Sequence, residues 1–243
     1  MKEIKQFYSQ NFDPIKRKKG KIKFVVFHYT GMKTEKSALK RLSDKNSKVS
    51  CHYFIKKNGS ILNMVPDLYI SWHAGISFWK NIKKLNKFSI GIEIQNPGHQ
   101  YGYKSFNKKQ INSIKYLSLK LAKKYNLKQT HFLGHSDIAP ERKKDPGEKF
   151  PWEFLSKYNI GIWHSLDKKL LKKKRLKNIN NLDKILFLSY LNKIGYFFNK
   201  NKINSISFAI KAFQRRFRPK LINGEIDLEC LEIAKNLVKS ELN

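Results

Sequence analysis

One short run constrains this chain more than any other. From Phe88 to Gln95 the residues alternate without a break: Ile90, Ile92 and Ile94 share one face, while Ser89, Gly91, Glu93 and Gln95 share the other. A period of two is the signature of a β-strand. The isoleucine face requires an apolar cover. The opposite face is kept lean by Gly91 and carries a carboxylate, Glu93, at mid-strand, where a charge needs a reason. Asn96-Pro97-Gly98 ends the strand.

Other elements follow from similar patterns. Phe24-Val25-Val26-Phe27 reads as a buried strand delivering His28 at its end. Thr34 suits the N-cap of a helix carrying Ala38, Leu39 and Leu42. Cys51–Lys56 and Ser60–Val65 read as a hairpin around Lys57-Asn58-Gly59. Asn107 and Gln110 suit a capping box, Phe106 and Ile111 a hydrophobic staple, and Ile111, Ile114, Leu117, Leu121 and Tyr125 a helical stripe. Thr130–Gly134 reads as a further strand ending at His135. Strands interleaved with helices predict an α/β unit over 1–165.

Residues 166–181, rich in Lys and Asn, read as a basic linker or solvated helix. A small three-helix domain is expected over 182–243. Its first buried face is read as Leu182, Ile185, Leu186 and Ile194, its second as Ile206, Ile210, Phe213 and Phe217. Asn223-Gly224 marks a turn, and Asp227 caps a last helix carrying Leu228, Leu231 and Leu237.

Composition excludes several classes. Two cysteines, Cys51 and Cys230, allow neither a disulfide framework nor a cysteine zinc motif. The start, Met1 to Phe7, lacks the apolar stretch of a signal peptide, so the chain is expected in the cytoplasm, with periplasm or cell envelope as the alternative. No apolar run is long enough to span a membrane. Lys+Arg is 51 against 18 Asp+Glu, a net charge of +33. The lysines are spread through helices and loops alike, so weak polyanion adhesion is expected, and no motif supports a specific nucleic-acid partner.

Chemistry concentrates in three segments: His28-Tyr29-Thr30-Gly31, Ile92-Glu93-Ile94, and Gly134-His135 through Asp145-Pro146-Gly147. Two strand-end histidines and one carboxylate fit a catalytic zinc site, which uses three protein ligands and leaves a fourth position for water. Pro146 restricts Asp145 to an extended conformation. Glu93 is a candidate to take a proton from such a water, and Lys143 a candidate to stabilise an oxyanion. Tyr29, Trp72 and His73 are candidates for a substrate groove; Trp72 would stack on sugar or simply pack. His52 reads as a core histidine, His131 as structural or supporting, and Asp137 as a turn residue. Phe213 and Phe217 read as core, Arg215 and Arg216 as contacts to an anionic polymer or to solvent.

These segments resemble the type 2 N-acetylmuramoyl-L-alanine amidases, a superfamily that includes phage lysozyme-type amidases and peptidoglycan recognition proteins. The likeness spans roughly Asn11 to Trp152. It takes in Asn11-Phe12-Asp13, His28-Tyr29-Thr30-Gly31-Met32, Ser50-Cys51-His52-Tyr53, Trp72-His73-Ala74-Gly75, Ser89-Ile90-Gly91-Ile92-Glu93 and the His135–Gly147 segment. It implies a mixed central sheet flanked by helices, zinc held by His28, His135 and Asp145, Glu93 as acid/base and Lys143 as the transition-state lysine. The implied reaction is hydrolysis of the amide between N-acetylmuramic acid, intact or 1,6-anhydro, and L-alanine of the stem peptide. Peptidoglycan or muropeptides are the implied partners, for a chain expected to be a monomer. Ala212-Phe213-Gln214-Arg215-Arg216-Phe217 and Asn223-Gly224-Glu225-Ile226-Asp227 resemble a peptidoglycan-binding domain of three helices. That combination is similar to wall-recycling amidases. The alternative is a recognition module that kept the fold and lost the chemistry; the full set of candidate residues argues against it.

Overall fold

The fold is taken from a computed structural model that describes residues 4–199 and 201–241. Met1 to Glu3, within the start inspected for a leader, and Leu242 and Asn243, at the end of the expected helical domain, lie outside the described residues.

The elements, in chain order, are β1 (Ile4–Gln6), β2 (Phe12–Asp13), β3 (Phe24–Tyr29), α1 (Glu35–Ser43), β4 (Tyr53–Ile55), β5 (Ile61–Asn63), β6 (Ile70–Ser71), β7 (Phe78–Trp79), β8 (Ile82–Lys83), β9 (Ser89–Ile94), α2 (Lys108–Tyr125), β10 (Phe132–Gly134), α3 (His135–Ile138), α4 (Trp152–Ser156), α5 (Lys168–Lys174), α6 (Asn181–Ile194), α7 (Ile203–Phe217) and α8 (Leu228–Glu241). A six-stranded sheet has the order β1-β5-β4-β9-β3-β10. Only β4 and β5 pair antiparallel; the other neighbours run parallel. This is the expected α/β architecture, a mixed sheet flanked by helices. Among the described residues no helix is long and apolar enough to cross a membrane.

The alternation in β9 sets the layering. Ile90, Ile92 and Ile94 join Val25 and Phe27 of β3 on one face, where Ile114, Leu117 and Leu121 of α2 cover them. The predicted capping box forms: Gln110 N–H donates to Asn107 Oδ1 (3.0 Å) and Asn107 N–H to Gln110 Oε1 (3.3 Å). Thr34 caps α1 through a 3.1 Å bond from Ser37 N–H. The hairpin turns at Gly59 (φ +84°), where a Cβ would also lie 2.7 Å from the Lys109 carbonyl oxygen.

The opposite face has two separate covers. Ala38 and Leu42 of α1 pack on Phe54 and Leu62 near one edge. Near the other, Phe24, Val26 and Leu133 join a core built largely from α5 to α8, with Phe187, Leu191, Phe213, Phe217 and Leu237 buried in it. Between the covers, the C-terminal ends of β3 and β9 are left open.

Several expectations need correction. In α6 the buried residues are Phe187, Leu191 and Ile194, whereas Leu182 is 77% and Ile185 64% exposed and Leu186 also faces solvent. The helix is apolar on nearly every side, so periodicity could not select the inner face. Of the two readings of 166–181, the helix holds for part of the stretch, α5, which Asp167 caps; it differs from a wholly solvated helix in burying Leu171. Arg175 beyond it grips Glu229 with two bonds of 2.6 and 2.7 Å. The strand expected from Thr130 starts only at Phe132, after a 3-10 turn over Gln129–His131. The second helical face and the Asp227 cap are as expected; Cys230 N–H donates to Asp227 Oδ1 at 2.9 Å.

Candidate active site

The open part of the sheet is where the chemistry-bearing side chains meet. His28 and Glu93 occupy the same register position on β3 and β9, so their side chains leave the same face as neighbours. Strand β10 pairs with β3 up to Gly134 opposite Phe27, and continuing that register sets His135 beside His28. Asp145 returns on the following loop, where Ser136 N–H donates to its carbonyl at 2.7 Å.

Three ligand-type atoms converge there. His28 Nδ1 lies 2.9 Å from His135 Nδ1, and each lies 3.0 Å from Asp145 Oδ2. All three residues are buried. Burial and the neighbouring His135 push the His28 imidazole down to about 4, so it is neutral at pH 7. Burial opposes ionisation of Asp145, but a proton carried toward it by His135 or His28, or a cation in that place, outweighs burial and holds the carboxyl well below the usual range. A metal ion takes a histidine through a nitrogen that carries no hydrogen and a carboxyl in its ionised form.

The donor set fits a metal ion. A lone proton can bridge only one edge of this triangle and would leave the third atom facing lone pairs. Ligands about 2.0–2.1 Å from a tetrahedral ion stand roughly 3.3 Å apart, close to the observed edges. His28, His135 and Asp145 therefore form a triad able to hold a metal, with two nitrogens and one carboxylate oxygen.

Glu93 sits beside this triad, partly buried. Its Oε2 is shielded from solvent and has no hydrogen-bond partner among the described residues. Burial raises its pKa well above the usual value, Asp145 raises it further, and Lys143 pulls it back. Lys143 lines the same cleft, anchored through its backbone N–H to Ala139 O at 3.0 Å.

The cleft holds about 550 Å³ and runs between α1 and the loop preceding Asp145. Tyr29 and Trp72 lie on its wall. Tyr29 OH is 2.9 Å from His99 Nδ1, and Trp72 Nε1 donates to Asp13 Oδ1 at 2.8 Å. His73 lines the cleft too, but it is buried behind His28, its Nδ1 3.0 Å from His28 Nε2. Gly91 makes room for it: a Cβ there would lie 2.4 Å from His73 Cγ. The cleft also takes in Arg41, Arg142 and Lys144, which sequence reasoning passed over because each sits among other basic residues. Arg142 Nη2 donates to the carbonyls of Ala74 (3.1 Å) and Ile76 (2.5 Å), and the first of these also meets His135 Nε2 at 3.2 Å.

Other candidates lie elsewhere. His52 is fully buried and accepts from Gly91 N–H through Nδ1 at 3.0 Å, a core residue as read. His131 accepts from Lys128 N–H within its own turn. Asp137 is more than a turn residue: it is 1% exposed and its Oδ2 accepts from Arg216 Nη1 at 2.6 Å and from Gly134 N–H at 2.8 Å. Tyr196 OH donates to its other oxygen at 2.7 Å. Arg216, expected at a polymer or in solvent, is thus buried, its guanidinium 3.9 Å from the Trp152 ring centroid. Arg215 is buried as well. The pairing partners lie too far apart in sequence for a local reading to join them.

Comparison with known proteins places this geometry. Residues 18–148 match the family described as N-acetylmuramoyl-L-alanine amidase. The amidase AmiD of Escherichia coli K12 is 35% identical over 232 residues, covering 90% of this chain and 83% of that protein. Its structure, described as a complex with the substrate anhydro-N-acetylmuramic acid-L-Ala-D-gamma-Glu-L-Lys, superposes with a TM-score of 0.79 at 35% identity over 90% of each chain. AmpDh3 from Pseudomonas aeruginosa, in complex with anhydromuramic pentapeptide, gives 0.78 at 28% identity over 94% of each chain. The 1,6-anhydro-N-acetylmuramyl-L-alanine amidase AmpD of Haemophilus influenzae is 37% identical, but over only 44% of this chain and 56% of its own. The chain belongs to the N-acetylmuramoyl-L-alanine amidase family.

Proposed function

We propose that this amidase is a zinc enzyme that hydrolyses the amide between N-acetylmuramic acid, including its 1,6-anhydro form, and L-alanine of the stem peptide, in peptidoglycan turnover or recycling. Residues 1–165 would form the catalytic unit and 182–243 a wall-binding-like helical unit, with peptidoglycan fragments as the partner. Two imidazoles and one carboxylate with a fourth position open are a donor set that suits catalytic zinc. When bound by His28, His135 and Asp145, it supplies Lewis acidity toward the scissile carbonyl and lowers the pKa of water.

The chain's own groups do the rest. Glu93 accepts the proton of the attacking water and returns one to the leaving amine nitrogen. A pKa raised by burial suits that task, because it makes the carboxylate a stronger proton acceptor than an exposed one. The Lys143 ammonium stabilises the negative charge that develops on the carbonyl oxygen. The cleft, with Tyr29 and Trp72 on its wall, has the volume of an ordinary small-ligand site and suits a muropeptide fragment. The observation that carries this reading is Glu93 Oε2, shielded and unpartnered beside three converging ligand atoms.

The test pairs metal analysis with product identification. Protein purified without chelator should hold about one zinc per chain. Incubation with soluble anhydro-muropeptides and with intact sacculi should release free stem peptide, identified by mass. Glu93→Gln should retain zinc and slow release by about 10²–10⁴-fold. A zinc-free active wild type removes the metal reading, and an unchanged rate in Glu93→Gln removes Glu93 from its role. Zinc binding without any amide cleavage would mark a recognition module instead.

A further inference from the structure

We propose that the dipeptide His73–Ala74 is the positioning element of the metal centre: the His73 side chain and the Ala74 carbonyl determine which nitrogen each ligand histidine presents. This rests on the zinc reading above and extends it to residues outside the triad.

The argument follows the hydrogens. Ser89 Oγ lies 2.6 Å from the Leu85 carbonyl oxygen, which can only accept, so the single hydroxyl hydrogen is committed there. Toward His73 Nε2, 3.1 Å away, Ser89 can then only accept, and Nε2 carries the hydrogen. The neutral His73 ring is left with a bare Nδ1. That atom faces His28 Nε2 at 3.0 Å, so His28 carries its hydrogen on Nε2 and its Nδ1 is bare. On the other side, the Ala74 carbonyl accepts from His135 Nε2 at 3.2 Å, and His135 Nδ1 is bare in turn. Both lone pairs point at Asp145 Oδ2. One backbone carbonyl at the far end of a relay, Leu85, and one directly, Ala74, thus set both ligand tautomers. An outer partner that fixes ring orientation in this way is the usual support of a ligating imidazole.

The dipeptide is itself held rigidly. Asn86 Oδ1 accepts from both backbone N–H groups, His73 at 3.2 Å and Ala74 at 2.7 Å. Arg142 donates to the Ala74 carbonyl from the other side. The absent side chain of Gly91 leaves the slot in which the His73 ring lies against β9. The lean strand face therefore serves two ends, space for Glu93's surroundings and a seat for this imidazole.

The experiment measures zinc affinity by chelator competition and the imidazole tautomers by long-range 1H–15N correlation on the full chain. In the zinc-loaded wild type, His28 and His135 should both show hydrogen on Nε2 and metal on Nδ1. His73→Ala should weaken zinc binding about 10–100-fold. His73→Gln, whose amide can accept from His28 and donate to Ser89, should recover most of that loss. Gly91→Ala, which touches no ligand, should weaken binding in the same direction by displacing His73. A hydrogen on His28 Nδ1 in the loaded protein, or wild-type affinity in His73→Ala, overturns the proposal. So does equal loss in His73→Ala and His73→Gln. If His73→Ala does not fold, His73→Gln and Gly91→Ala carry the same decision. A wild type that binds no zinc would instead fail the reading on which this one stands.

Discussion

The two faces of the central sheet are covered by partners of different kinds. On the isoleucine face the cover is α2, which follows β9 in the chain, caps its own N-terminus and presents a clean stripe of Ile114, Leu117 and Leu121. On the other face, along β3 and β10, the cover comes from helices far downstream. Its polar tie is a buried ion pair between Asp137 and Arg216, 79 residues apart, both side chains nearly inaccessible. The first cover is built from local pattern and apolar area. The second adds a charge pair whose members make sense only together. A pattern read along the chain captures the first kind and misses the second.

The comparison can be broken where it is most asymmetric. Arg216→Met leaves Asp137 buried without its cation and should cost about 3–5 kcal/mol, read from denaturant unfolding. A loss below about 1 kcal/mol would mean that apolar packing alone holds the downstream helices. The double change Asp137→Asn with Arg216→Met should cost less than the sum of the singles, since the two residues act as a pair. On the α2 face, Asn107→Ala removes one cap and should cost about 1 kcal/mol with the fold unchanged. A larger loss would show that α2 depends on the rest of the sheet for its start.

How much was legible in the sequence follows the same division. The α/β class, the Gly59 hairpin, the caps of α1 and α2 and the lean face of β9 were readable because each is signalled within a few residues. His28, His135, Asp145 and Glu93 were singled out because they sit at strand ends, mid-strand or in a dense motif, and the structure brings them into one cleft. The inner face of α6 was not legible: Leu182, Ile185 and Leu186 are as apolar as Phe187 and Leu191, and only the neighbours of the folded helix decide between them. Asp137, Arg215 and Arg216 looked like solvated charges because burial of a charge depends on a partner from elsewhere in the chain. His73 was read as groove, and its position behind His28 could not be seen without the slot at Gly91.

One further consequence follows from the sheet order. Strand β10 is a sheet edge, with β3 as its sheet neighbour on one side only. Two of the three ligand-type residues, His135 and Asp145, lie just beyond it, while the third, His28, belongs to β3. A cation held by all three would fasten the rim strand to the interior across 107 residues of chain, and its binding free energy would add to the stability of the fold by linkage. The metal site would then also be the clasp on the seam, and the tightness of the one would measure the closure of the other.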